Sequence, residues 1–156
     1  SFTFSDSIFI FSKTDSVRDA TKMILDCNYI LKQAFKFQIP IKGAISFGKI
    51  TITDSVYFGQ PIIDAFLLHE ELNLYSVISD HNFEKRIQQL SKTLLTEFFV
   101  KYKAPLKSGK INHFVLQPLE KYRDEKILNL KTLYTTVSGK PRQYIDNTIE
   151  FIESLK

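Results

Sequence analysis

Apolar and polar positions alternate along this chain with two different periods, and the changes of period divide it into elements. Phe2 and Phe4 alternate with Thr3 and Ser5, and Ile8-Phe9-Ile10-Phe11 follow. Two short strands joined at Ser5-Asp6-Ser7 account for this pattern. The second run is apolar on both faces, as in a central, covered strand. From Val17 the period lengthens. Val17, Ala20, Ile24, Cys27, Leu31 and Ala34 fall at steps of three and four, one face of a helix running to about Phe37. Ser16-Val17-Arg18-Asp19 resembles a capping box at its start.

Pro40 ends the linker and opens a strand over Ile41 to Phe47, bracketed by Gly43 and Gly48. A second extended run, Ile50 to Thr53, leads to an Asp54-Ser55 turn. Phe58-Gly59 then opens a helix with Pro61 in its first turn and Ile62, Ala65, Phe66 and Leu72 on its buried side. Leu74 to Ile78 reads as a short strand. Ser79 or Asp80 caps a long helix whose stripe is Phe83, Ile87, Leu90, Leu94, Phe98 and Tyr102. Pro105 to Gly109 reads as a loop and Ile111 to Leu116 as a strand. Lys121 to Lys126 reads as a solvated charged turn. Ile127 to Val137 is ambiguous in period, with helix slightly favoured, and Pro141 starts a last helix with Tyr144, Ile145, Ile149 and Ile152 inward. This order of elements predicts one α/β domain, with helices packed on a mixed or antiparallel sheet.

At 156 residues the chain can bury a sizeable core. Hydrophobic residues make up 44% and charged residues 24%, an ordinary globular composition. No run of about 18 apolar residues occurs, so no membrane span is expected, and no secretory leader is visible. The single cysteine, Cys27, cannot form an internal disulfide, and its place on an apolar stripe suits a small buried hydrophobe. A reducing cytoplasm is the expected compartment. The chain starts at Ser1 directly in an apolar alternation, so an upstream segment is expected. The net charge of +4 suits an anionic ligand, but the scattered lysines argue against a nucleic-acid surface.

Two local patterns carry a resemblance. Phe4-Ser5-Asp6-Ser7-Ile8 is similar to a Gly-Asp hairpin leading into a hydrophobic strand. Ile41-Lys42-Gly43-Ala44-Ile45-Ser46-Phe47-Gly48, followed by Tyr57-Phe58-Gly59-Gln60, is similar to a basic-Gly-x-x-x-x-Gly strand followed by aromatic-Gly-Asp before a helix. Together they resemble the catalytic domain of class III nucleotidyl cyclases, and look most like a divergent bacterial branch of cyclase-like proteins, some of which serve in phage defence. The resemblance covers roughly residues 1–80, with 81–156 as an extension.

The resemblance implies a ferredoxin-like cyclase core in which the hairpin and the glycine-flanked strand share one sheet. It implies a nucleoside triphosphate held with Mg²⁺ or Mn²⁺, cyclisation by attack of the 3′-hydroxyl on the α-phosphate, loss of pyrophosphate, and a homodimer. By position Asp6 corresponds to the second metal aspartate. Ser5, Ser7, Lys42, Gly59 and Gln60 fall where substrate is bound. The first metal aspartate would lie on a strand before Ser1, and two aspartates suffice for such ions. Other family positions are changed: the base-reading lysine falls at Phe2, the base-reading acid at Gln60, and the transition-state Asn and Arg at Ile63 and Leu67. A catalytically degenerate binding or dimerisation module is therefore the alternative, and no catalytic residue is assigned.

The same residues have plainer readings. Asp6 between two serines is equally a turn residue. Gly43, Gly48 and Gly59 serve backbone shape before ligand contact. Asp64 suits a solvated helix face. Lys140 and Arg142 suit a solvated turn. His69, His81 and His113 share no ligand spacing.

Overall fold

The computed structural model describes the backbone over residues 2–4, 7–54, 56–118 and 120–155, and the side chains of these except at 2–4, 92 and 120. The chain opens with the expected hairpin. Strands β1 (Phe2–Phe4) and β2 (Ser7–Phe9) run antiparallel, with Phe2 opposite Phe9 and Phe4 opposite Ser7. Its turn residues Ser5 and Asp6, the latter the expected metal ligand, lie outside the described residues.

Helix α1 (Val17–Lys36) starts at Ser16, whose hydroxyl accepts the Asp19 N–H at 3.2 Å. The Asp19 carboxylate does not close the box on Ser16. It accepts instead from the Thr14 N–H at 2.8 Å and hydroxyl at 2.7 Å, which ties the incoming chain to the first turn. Ile24, Leu31 and Phe35 are buried, while Val17, at the start of the expected stripe, is exposed.

The chain continues through β3 (Gly43–Ile45), β4 (Thr51–Thr53), β5 (Val56–Phe58), α2 (Gln60–Glu71), β6 (Val77–Ser79), α3 (His81–Leu90), α4 (Lys92–Phe98), β7 (Phe99–Leu106), β8 (Gly109–Leu116), α5 (Arg123–Tyr134) and α6 (Lys140–Glu153). The main sheet has the order β3-β6-β8-β7. β3 is parallel to β6, and the other pairs are antiparallel. A mixed sheet with packed helices is the α/β architecture that the periodicity predicts. β4 and β5 form a separate antiparallel arm, with Thr51 opposite Phe58.

Several expectations are corrected. Among the described residues the β1–β2 hairpin and β3 do not share a sheet. β3 spends its ladder on β6, and α1 carries the chain from β2 to β3 around an open cleft. Among the described residues β2 accordingly has one strand neighbour, and Ile8 is exposed. The long helix from Asp80 to Tyr102 is also not continuous. Ser91 is extended (φ −162°, ψ 120°) and separates α3 from α4. Phe99 to Leu106 then pairs along its whole length with β8 through a tight turn at Lys107-Ser108, so Pro105 lies in a strand. β7 is at the edge of the main sheet, where a proline costs least.

The core lies between this sheet and its helices. Ile24, Leu72, Ile78, Val115, Leu116 and Phe151 are fully or almost fully enclosed. Phe151 and Tyr102 meet at a ring separation of 4.8 Å and join α6 to β7.

Candidate functional site

β3 leads directly into the site. After Ile45 the chain runs through Ser46, Phe47 and Gly48 into the β4–β5 arm and back to α2. A Cβ at Gly48 would stand 2.6 Å from Pro61 Cγ in the first turn of α2. Gly59 precedes that turn at φ 154°, and a Cβ there would meet the Lys49 carbonyl oxygen at 2.6 Å. Both glycines are thus required for close approach of backbone, in keeping with their plainer reading. Gly43 is different. A Cβ there would make an ordinary 3.5 Å contact with Val77.

These elements enclose a cleft of about 1230 Å³. Residues 7–15 and 40–50 line it, with Ala20, Met23 and Cys27 on α1, Pro61 and Ala65 on α2, and Arg86 on α3. The hairpin exit and the glycine-flanked strand therefore face one space, although they do not share a sheet. Phe11 stacks on Tyr57 at 5.4 Å with the ring planes 7° apart, and so fastens the hairpin exit to β5.

The charged lining is mostly cationic. Lys13, Lys42, Lys49 and Arg86 are opposed by Asp15 and Glu70. Arg86 donates to the Asp15 carboxylate at 2.6 Å and stands 5.3 Å from the Phe47 ring. Its Nε is buried and has no hydrogen-bond partner among the described residues. Asp80 caps α3 by accepting the Phe83 N–H at 2.7 Å and also accepts the Ser46 hydroxyl, which fixes the end of β3 to α3.

The expected ligand-contacting residues are distributed unevenly. Ser7 and Lys42 line the cleft. Lys42 donates to the Leu72 carbonyl at 2.9 Å and to the Glu70 carbonyl at 3.4 Å, a cation on the C-terminal carbonyls of α2. Burial lowers its pKa, and Glu70 opposes that shift. Gly59 and Gln60 are not among the lining residues. The Gln60 amide donates to Asp64 at 2.7 Å, so Asp64 is paired along the helix. Ser5 and Asp6 are outside the described residues. The Cys27 thiol lines the cleft but is pushed up to about 11 by burial, with Asp26 adding to the shift.

Sequence reasoning missed Arg86. It lies off the apolar stripe of α3, where a solvated cation is the default expectation, and it reaches the cleft by pairing with Asp15 seventy-one residues away. Among the described residues no group of three or more His, Cys, Asp or Glu side chains converges on a metal-sized site, and no helix is long and apolar enough to cross a membrane. Of the described acids lining the cleft, Asp15 is paired with Arg86 and Glu70 with Lys107. Comparison with protein-family models, with curated proteins and with solved structures gives no match for this chain.

Proposed function

We propose that the cleft binds a nucleoside triphosphate, as the resemblance to class III nucleotidyl cyclases implies. The observation that supports this reading is the cationic excess of Lys13, Lys42, Lys49 and Arg86 in one large cleft. That cleft is bounded by the exit of the Asp6 hairpin and by the glycine-dependent junction of Gly48 with Pro61. A polyphosphate suits such a lining through charge. The described carboxylates do not by themselves make a metal centre. Mg²⁺ or Mn²⁺ would depend on Asp6 together with a second carboxylate from a segment N-terminal to Ser1 or from a partner subunit. In a complete site the activity would be cyclisation to a cyclic mononucleotide with release of pyrophosphate.

A second reading has its own observation. Ile63, Phe66 and Leu67 on α2 are exposed, as are Ile52, Val56 and Phe58 on the β4–β5 arm. Exposed apolar residues of this kind mark an interaction surface. In this reading a degenerate cyclase-like domain dimerises through α2 and the arm, and Ile63 and Leu67 serve the interface in place of transition-state polar groups.

Incubating the full-length protein with each of the four triphosphates and Mn²⁺ separates the two. Pyrophosphate release that Asp6→Asn abolishes without unfolding the protein supports the enzyme. Release unchanged in Asp6→Asn removes Asp6 from the mechanism. No release, with a dimer that Ile63→Asp dissociates, supports the module.

A further inference from the structure

A second cavity, of about 240 Å³, lies between α1 and α5, and among the described residues Leu31 alone lines both it and the cleft. Asn28, Lys32 and Phe35 enter it from one face of α1, at spacings of four and three. Tyr122, Lys126 and Asn129 enter from α5 and the turn before it. The sequence suggests that residues 121–126 form a solvated charged turn. Lys126 instead is only 6% exposed.

The Lys126 Nζ lies 4.4 Å from the centroid of the Phe35 ring, and among the described residues it donates to no oxygen. The Asn28 Nδ2 is buried and also has no hydrogen-bond partner among them. Lys32 stands 3.5 Å over the Tyr122 ring and Lys121 stands 4.9 Å from it. The one described acid in the lining is Glu125, and it is exposed. The lining therefore carries two lysines against one exposed carboxylate. A buried donor without an acceptor, such as the Asn28 Nδ2, is rare in folded proteins and calls for a specific explanation. A ring face offsets only part of the cost of burying an amine. Burial accordingly pushes the Lys126 pKa down to about 7. The volume lies below the ~300–1,000 Å³ of sites for drug-sized ligands, and suits one small oxyanion.

We infer that this pocket binds a small oxyanion, the carboxylate or phosphate group of a small molecule, between the Asn28 amide and the Lys126 ammonium, with Phe35 beneath and Lys32 at the mouth. Such a ligand supplies the acceptor that the Asn28 amide lacks and a counter-charge for Lys126. It also restores the charge on Lys126, so binding takes up a proton above neutral pH. This inference does not rest on the nucleotide reading of the larger cleft.

The test is calorimetry on the full-length protein with methyl phosphate and, separately, acetate, at constant chloride ionic strength. Two buffers of different ionisation enthalpy report proton exchange. The expected result is a dissociation constant of about 1 mM or tighter for one probe. Uptake of a fraction of a proton should accompany binding at pH 7.5, and affinity should fall about tenfold per pH unit once pH is well above 7. Lys126→Met should lose binding at least tenfold together with the proton uptake, and Asn28→Leu should lose binding at least tenfold. The probe that binds tells phosphate from carboxylate. No binding of either probe, or binding without proton uptake, overturns the inference. So does binding unchanged in Asn28→Leu, a variant that keeps Lys126 and covers the case in which Lys126→Met does not fold.

Discussion

Gly48 and Pro61 stand so close that a Cβ on the glycine would lie 2.6 Å from the proline Cγ. The contact joins the end of the β3 segment to the first turn of α2, and both residues line the large cleft. A proline ring cannot swing aside as a long side chain can. Gly48→Ala should therefore cost ~1–3 kcal/mol, the usual scale for overpacking. Urea unfolding of the variant checks this, and Gly43→Ala is the control. Its Cβ would meet Val77 at an ordinary 3.5 Å, so it should lose much less.

Asp80 is a buried helix cap that also accepts the Ser46 hydroxyl. Asp80→Ala removes the acceptor for the Phe83 N–H and should cost ~1–2 kcal/mol. Asp80→Asn keeps a capping oxygen and should recover most of that loss. Equal destabilisation by both variants in a denaturant titration would show that the carboxylate charge matters, not the cap.

Lys126 gives stability a particular pH dependence. Its pKa is about 7 when folded, against an ordinary 10.5. Between these values the unfolded chain holds a proton that the folded chain does not, so stability rises with pH. In chloride buffer free of phosphate and carboxylate, the slope between pH 7.5 and 9 should approach ~1.4 kcal/mol per pH unit. Lys126→Met should flatten it. Stability measured by denaturant at several pH values settles the point, and a slope of the opposite sign in the parent protein would contradict the burial of a neutral amine.

Cys27 should be slow to react. Raising the thiol from 9.0 to about 11 lowers the thiolate fraction about 100-fold near neutral pH. Iodoacetamide labelling at pH 7.5 should be slow in the folded protein and ordinary in urea. Fast labelling in the folded state would show that the cleft wall opens readily at α1.

Much of the fold is legible because it is locally encoded. The hairpin, α1, α2 and α6 follow from periodicity, from the cap at Ser16, and from the prolines at 61 and 141. β7 is not legible in this way. Leu94, Phe98 and Tyr102 continue the stripe of α3 at helical spacing, and only pairing with residues 109–116 decides that the chain is extended after Phe98. Long-range pairing overrides local pattern here. The shared sheet was a family expectation, and the β6 ladder on β3 is a tertiary fact that no local pattern encodes. Of the residues that the resemblance assigns to substrate, Ser7 and Lys42 line the cleft. Arg86 was not legible, because an arginine beside an apolar stripe looks solvated until its partner Asp15 is known. Lys126 was missed for the same reason: a lysine in a charged run gives no sign that a second helix covers it.

A nucleoside triphosphate with a divalent ion is proposed for the cleft lined by Ser7, Lys42 and Gly48. The most direct measurement is the relaxation of amide NMR signals in the full-length protein titrated with Mn²⁺ and each triphosphate. At least one triphosphate should broaden the Ser7 and Gly48 signals, only when Mn²⁺ and nucleotide are both present, with recovery in excess Mg²⁺. If all four triphosphates leave these signals unchanged, or broaden only residues outside the cleft, the nucleotide-binding account is wrong.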